Sequence, residues 1–121
     1  RTMDELNRRS EAGLAQIRDD FIASMRKARA VFGPYAFRKR FEREEKRQPI
    51  NKPLFETWSV LLNVYALDEL EKRREELVDS FLEVMQTDID FVNAISYGTG
   101  SPTTVKYRFG RIQVLLQKVM A

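Results

Sequence analysis

At 121 residues, with 43% hydrophobic and 32% charged side chains, the chain has the length and balance of one globular domain, 1–121, large enough to bury a core unaided. It contains no cysteine and no histidine, which excludes a disulfide framework, a thiolate metal site, Glu-x-x-His di-iron chemistry and any nucleophile worked by a histidine base. The net charge of +3 hides a split: residues 38–47 carry six basic and three acidic side chains, residues 68–90 three basic and nine acidic, and residues 98–121 four basic and none acidic. No apolar run approaches the roughly 20 residues that cross a bilayer, and charges throughout residues 1–30 argue against a signal peptide. A cytoplasmic protein with no membrane partner is expected. The start at Arg1 reads as a piece cut from a longer protein.

In chain order, residues 3–32 predict one long helix. Met3, Leu6, Leu14, Ile17, Phe21, Met25, Ala28 and Phe32 line one side at steps of three and four. Ser10 and Gly13 dilute the stripe, so its first half is expected to fray or to pack on a partner. Gly33 ends the helix and Pro34 opens the next, a short one over 34–46 anchored by Tyr35, Phe37 and Phe41. Arg43 to Gln48 then reads as an exposed connection up to Pro49. Ile50 is placed to staple onto Leu54 or Phe55.

Residues 51–66 are the most apolar stretch and hold the only tryptophan. Asn51 is a good N-cap and Pro53 suits the first turn. Leu54, Trp58, Leu61, Leu62 and Tyr65 share a face that Phe55 and Val60 widen, the mark of a helix buried on most sides. A fourth helix is expected over 68–86, with Leu70, Leu77, Phe81 and Val84 or Met85 inward. No glycine or proline shows whether it continues the third. Thr87 to Asp90 reads as a capping box before a short helix with Phe91, Val92 and Ile95 inward. Gly98 and Gly100 make a turn, and Ser101-Pro102 opens a last helix burying Val105, Phe109, Ile112, Leu115, Leu116 and Val119. No stretch alternates like a strand. The expected fold is all-α, a compact bundle of five or six helices around the buried helix at about 51–66.

The polar constellations are few. The acidic residues single out no catalytic pair, and no glycine-rich phosphate loop is present; no catalytic residue, metal or cofactor is expected. The turn at Gly98 places free backbone N–H groups and the hydroxyls of Thr99, Ser101, Thr103 and Thr104 at a helix N-terminus, with Lys106, Arg108 and Arg111 following. Such a site attracts phosphate, or simply caps a structural helix. Phe91 to Phe109 partly fits a helix-turn-helix, with a turn about one residue too long and a short first helix. Arg38, Lys39 and Arg40 form a second basic patch, which solvation of a helix surface explains equally well. Glu56 and Asn63, seven apart, either face solvent or are buried against Arg108 or Lys106.

Three blocks taken together carry a resemblance: Phe32-Gly33-x-x-Ala36-Phe37-Arg38, Ile50-Asn51-Lys52-x-Leu54-Phe55-Glu56, and Phe91-x-x-Ala94-Ile95 followed by Thr99, Val105 and Arg108-Phe109. In this order they resemble the C-terminal helical region of the GmrSD-like bacterial family, a domain-of-unknown-function group with a ParB/sulfiredoxin-like N-terminal module. The resemblance spans about Met25 to Leu116. It implies a larger parent linked to restriction of foreign DNA and phage defence, whose N-terminal module uses nucleotide hydrolysis or nuclease chemistry. The motif of that chemistry is not in this sequence, so no catalytic residue carries over. What it implies here is a non-catalytic helical domain that assists DNA binding or supports its own N-terminal catalytic module. Arg38, Asn51, Lys52, Glu56, Thr99, Ser101 and Arg108 are then a linked polar network or a phosphate-contacting surface, with Gly33 and Phe37 structural. The alternative is a protein-interaction or dimerisation domain that forms a homo-oligomer through the first helix and does not bind nucleic acid.

Overall fold

The computed structural model describes residues 3–121. The side chains of Met3 and Leu6, expected on the first stripe, lie outside the described residues. The helices are α1 (Met3–Phe32), α2 (Lys52–Leu61), α3 (Leu67–Lys72), α4 (Arg74–Thr87), α5 (Ile89–Ala94) and α6 (Pro102–Met120), with 3-10 turns at Gly33–Tyr35 and Leu62–Val64. The fold is all-α, and no strand occurs among the described residues. No described helix is long and apolar enough to cross a membrane.

The core forms where the apolar faces of α1, α2, α4 and α6 converge. Leu54, Trp58 and Leu62, spaced along one side of α2, are buried beside Phe32 and Phe81. The Trp58 ring lies 4.8 Å from Phe32 and 5.6 Å from Phe81, and the last two are 5.6 Å apart. Each such side chain contributes on the order of 2–3 kcal/mol by leaving water, with tilted and edge contacts adding to that. Asn51 caps α2 as expected: its Oδ1 accepts from Leu54 N–H at 2.9 Å, and its Nδ2 donates to Ile95 O, tying the helix start to the end of α5. Ser101 caps α6 by accepting from Thr104 N–H, with Pro102 in the first turn.

Several expected elements take another form. Residues 34–46 are not a helix. After the turn at Gly33–Tyr35 the chain reverses at Phe37, whose φ of +61° lies in the left-handed region. Arg38 then makes an antiparallel bridge to Ile50, and Asn51 N–H donates to Phe37 O at 2.7 Å. The loop's polar groups are met by side chains: Tyr35 Oη donates to Glu45 O and accepts from Glu45 N–H, and Arg38 Nη1 donates to Gln48 O. These bonds substitute for the helical ladder. Phe37 is buried and packs 4.9 Å from Phe55, against which its unusual backbone is held. Ile50, expected as a staple, is exposed.

The central helix is shorter than 51–66. It tightens into a 3-10 turn at Leu62 and ends in extended Tyr65 and Ala66, so α3 is a separate helix; Val60 faces solvent. The expected fourth helix breaks at Arg73. Every side chain between Leu70 and Leu77 is charged, so no apolar contact there holds the helix to the core, while Leu70 and Leu77 themselves are buried. Asp88, not Thr87, caps α5; the Thr87 hydroxyl turns back to Glu83 O.

Candidate interaction surface

Arg108 is 2% exposed. Its Nη1 donates to Thr99 O at 2.6 Å and its Nη2 reaches Glu56 Oε2 at 3.2 Å, linking α6, the Gly98 turn and α2. Its place in the core follows from phase: Arg108 lies four and seven residues before Ile112 and Leu115, on the buried face of α6. Glu56 therefore has the Arg108 partner that the sequence suggested, and Lys52 stands 4.0 Å off its other oxygen in an exposed pair. The expectation that Arg108 contacts phosphate does not stand, because its guanidinium is enclosed. Asn63 is half-buried and reaches α1 instead, donating to Ser24 Oγ at 2.6 Å and to Asp20 O at 3.3 Å.

Arg111 is engaged as well. Asp88 accepts from Arg111 Nε at 2.9 Å, from Tyr107 Oη at 2.9 and 3.0 Å and from Phe91 N–H at 3.0 Å. Burial alone would raise the Asp88 carboxyl, but these donors outweigh it and hold the pKa below its ordinary value. Burial and then the Asp88 hydrogen bond push the Tyr107 hydroxyl above its ordinary value. Asp88 and Tyr107 were not among the residues singled out from sequence. The readable signal was Tyr107 and Arg111 four apart on α6, facing an acidic cap.

These contacts remove the helix-turn-helix reading. The link from α5 to α6 runs from Ile95 through Ser101, longer than the three or four residues of that motif. Arg108 points inward, and Tyr107 and Arg111 are tied to Asp88. At the Gly98 turn, Ser101 Oγ satisfies Thr104 N–H and donates to Thr104 Oγ1, while Thr99 offers its carbonyl to Arg108; Lys106 is exposed. A shallow cleft of about 300 Å³ between α5 and α6 is lined by Asn93, Tyr97, Thr104 and Tyr107 among others and contains no cation.

The second basic patch is dismantled in the same way. Arg40 is buried, its guanidinium 4.2 Å from the Tyr35 ring centroid, with Nε donating to Glu42 O and Nη2 to Arg43 O. Burial lowers its pKa from the ordinary value. Arg38 is held by Gln48 O, and Lys39 stays half-buried at the surface. Arg40 is thus a strut of the 36–50 loop and not a phosphate contact. Arg43 reaches across to Glu75 at 3.0 Å and to Asp79, docking that loop on the acidic face of α4. Opposite charges separated along the sequence thus meet inside one fold.

An apolar stripe is also left uncovered. Ser24, Ala28, Val31 and Phe32 of α1 are buried, with the Ser24 hydroxyl 2.8 Å from Ser59 O on α2. Before Asp20, the described side chains of α1 face solvent, apart from half-buried Ala15. Leu14 is 65%, Ile17 66% and Phe21 52% exposed. Val60 and Val64, either side of Asn63 in the chain, are exposed too. Scattered apolar residues are ordinary at a surface, but three in helical phase on an uncovered helix form a stripe of the kind that partners occupy. Among the described residues no three acidic side chains gather to hold a metal.

The class defined by this geometry is an all-α bundle whose first helix is uncovered over its first half. No family model, no curated protein and no solved structure matches the chain.

Proposed function

We propose that this chain is a non-catalytic interaction domain whose docking element is the first half of α1. One observation carries the reading: α1 continues as a helix beyond the bundle with Leu14, Ile17 and Phe21 in phase and open to water. Most helical stability in a protein comes from packing of an apolar face, so a stripe kept on an unpacked stretch is best understood as a contact face. Arg108, Arg40, Arg111 and Arg38 are engaged within the chain, which leaves Lys39, Lys52 and Lys106 as cations from the nominated groups for any contact with DNA phosphate. The GmrSD-like resemblance gives the domain a setting, as the helical region of a defence-type protein.

Thermal melting of a Leu14→Glu/Ile17→Glu variant at low micromolar concentration tests the reading. A docking stripe contributes nothing to the isolated fold, so the melting temperature should match that of the wild type. A fall of several degrees would make the stripe part of the core and end the proposal. A duplex-DNA titration at two salt concentrations tests the nucleic-acid reading, which requires affinity that falls steeply with salt.

A further inference from the structure

Steps of four and three residues run through α1 without interruption: Ser10, Leu14, Ile17, Phe21, Ser24, Ala28, Val31. This is the four-three spacing of a coiled-coil seam, with Leu14, Phe21 and Ala28 at one position and Ile17, Ser24 and Val31 at the other. Its second half is covered, since Ser24, Ala28 and Val31 are 4%, 0% and 2% exposed. The first half continues that interface in phase: Leu14 and Ile17 are open to water, and Phe21 keeps one tilted contact with Phe55, 6.4 Å between ring centroids.

We infer that a second copy of this chain covers it, the two first halves crossing antiparallel with Leu14 against the partner's Ile17. The inference rests on the docking reading above and names its occupant. Charge complementarity selects the orientation. In this register Glu11 flanks the seam beside the partner's Arg18, and two-fold symmetry repeats the pair at the other end. Neither Glu11 nor Arg18 has an ion-pair partner among the described residues. Asp20 comes within reach of the partner's Arg9 on the opposite flank. Phe21 falls opposite the partner's Ser10, a large side chain facing a small one, and Gly13 lets the helices approach closely.

A parallel pairing brings together no such charges. It sets Gly13 beside the partner's Arg18 and Asp20 beside the partner's Met25. Sliding the antiparallel pair by one heptad places Leu14 against the partner's Ser10, or against the partner's Ser24, which its own bundle already covers. The contact is small. Three apolar side chains from each copy bury far less than the roughly 800 Å² per partner of a standard interface, so the dimer is weak and dependent on concentration.

Sedimentation equilibrium over a wide concentration range, with charge variants, tests it. Wild type should pass reversibly from monomer to dimer. Glu11→Arg alone and Arg18→Glu alone should each lower the association constant by roughly tenfold, because like charges then meet at both ends. An equimolar mixture of the two variants should regain it, since both pairs are again opposite in the heterodimer. A wild type that stays monomeric throughout overturns the second copy, while unchanged melting of the Leu14→Glu/Ile17→Glu variant would leave the docking reading intact. A wild type that dimerises with no recovery in the mixture overturns the antiparallel register. Lowered melting of that double variant in dilute solution overturns both readings.

Discussion

The two halves of α1 are one helix under two conditions. They share a register and alternate apolar with charged side chains in the same way, yet Phe32 is buried between Trp58 and Phe81 whereas Phe21, eleven residues earlier, is half in water. Nothing in the local pattern separates them. The difference lies in what the rest of the chain supplies: α2 ends near Asn63, whose side chain reaches Asp20, and coverage of the seam ends there. Amphipathicity thus states that a face is meant to be covered and leaves open by what.

Substitutions on either side of that boundary should separate sharply. Phe32→Ala should cost about 3–5 kcal/mol in urea unfolding, since it removes a ring at the centre of the aromatic cluster and leaves a cavity. A cost under about 1 kcal/mol there would place Phe32 with the exposed half and erase the contrast.

Arg108→Ala should cost about 2–3 kcal/mol by the same measurement. It deletes the link between Thr99 and Glu56 and leaves a void beside Ile112. Glu56 is 44% exposed and can return to water, which keeps the loss below that of a fully buried pair. An Arg108→Ala protein of unchanged stability would mean that the guanidinium is available to a ligand after all.

Asp88→Asn should cost about 1 kcal/mol at neutral pH through the lost Arg111 pair and the weakened Tyr107 bond, while the cap itself is kept, since Asn caps as well as Asp. Because the folded carboxyl titrates below its ordinary value of 3.8, its contribution is present above that value and is lost as pH falls through the folded pKa. The gap between wild type and Asp88→Asn in denaturation midpoint should therefore be steady near neutrality and close in acid. A gap that widens in acid would reverse the assignment. Tyr107, raised by burial and by Asp88, adds stability below its ordinary value of 10.0 that is lost as pH rises through the folded pKa. Leu14→Ala should have the smallest effect, within about 0.5 kcal/mol in dilute solution, with a loss of association at high concentration.

The long first and last helices, the caps at Asn51 and Ser101, and the buried faces of α4 and of α6 from Ile112 onward were legible because each depends on residues within one or two turns of one another, whereas Val105 and Phe109 are only half-buried. The 36–50 loop was not. Its stability comes from Tyr35 with Glu45, Arg38 with Gln48 and Arg43 with Asp79, pairs with no periodic signature. The cationic groups misled for a related reason. A basic residue in sequence carries no sign of whether it faces water or an internal carbonyl, and only the phase of Arg108 with Ile112 and Leu115 hinted at the second. The stripe of α1, by contrast, was visible in sequence together with the weakness of its first half, and the structure locates where its cover ends.

Amide hydrogen exchange along α1 tests the central contrast most directly. In dilute solution residues 24–32 should show protection close to that of global unfolding, whereas residues 7–19 should exchange with little protection, as an uncovered helix does. Equal protection along the whole of α1 at the lowest concentration would contradict the account, because the first half would then be held by the same cooperative core as the second.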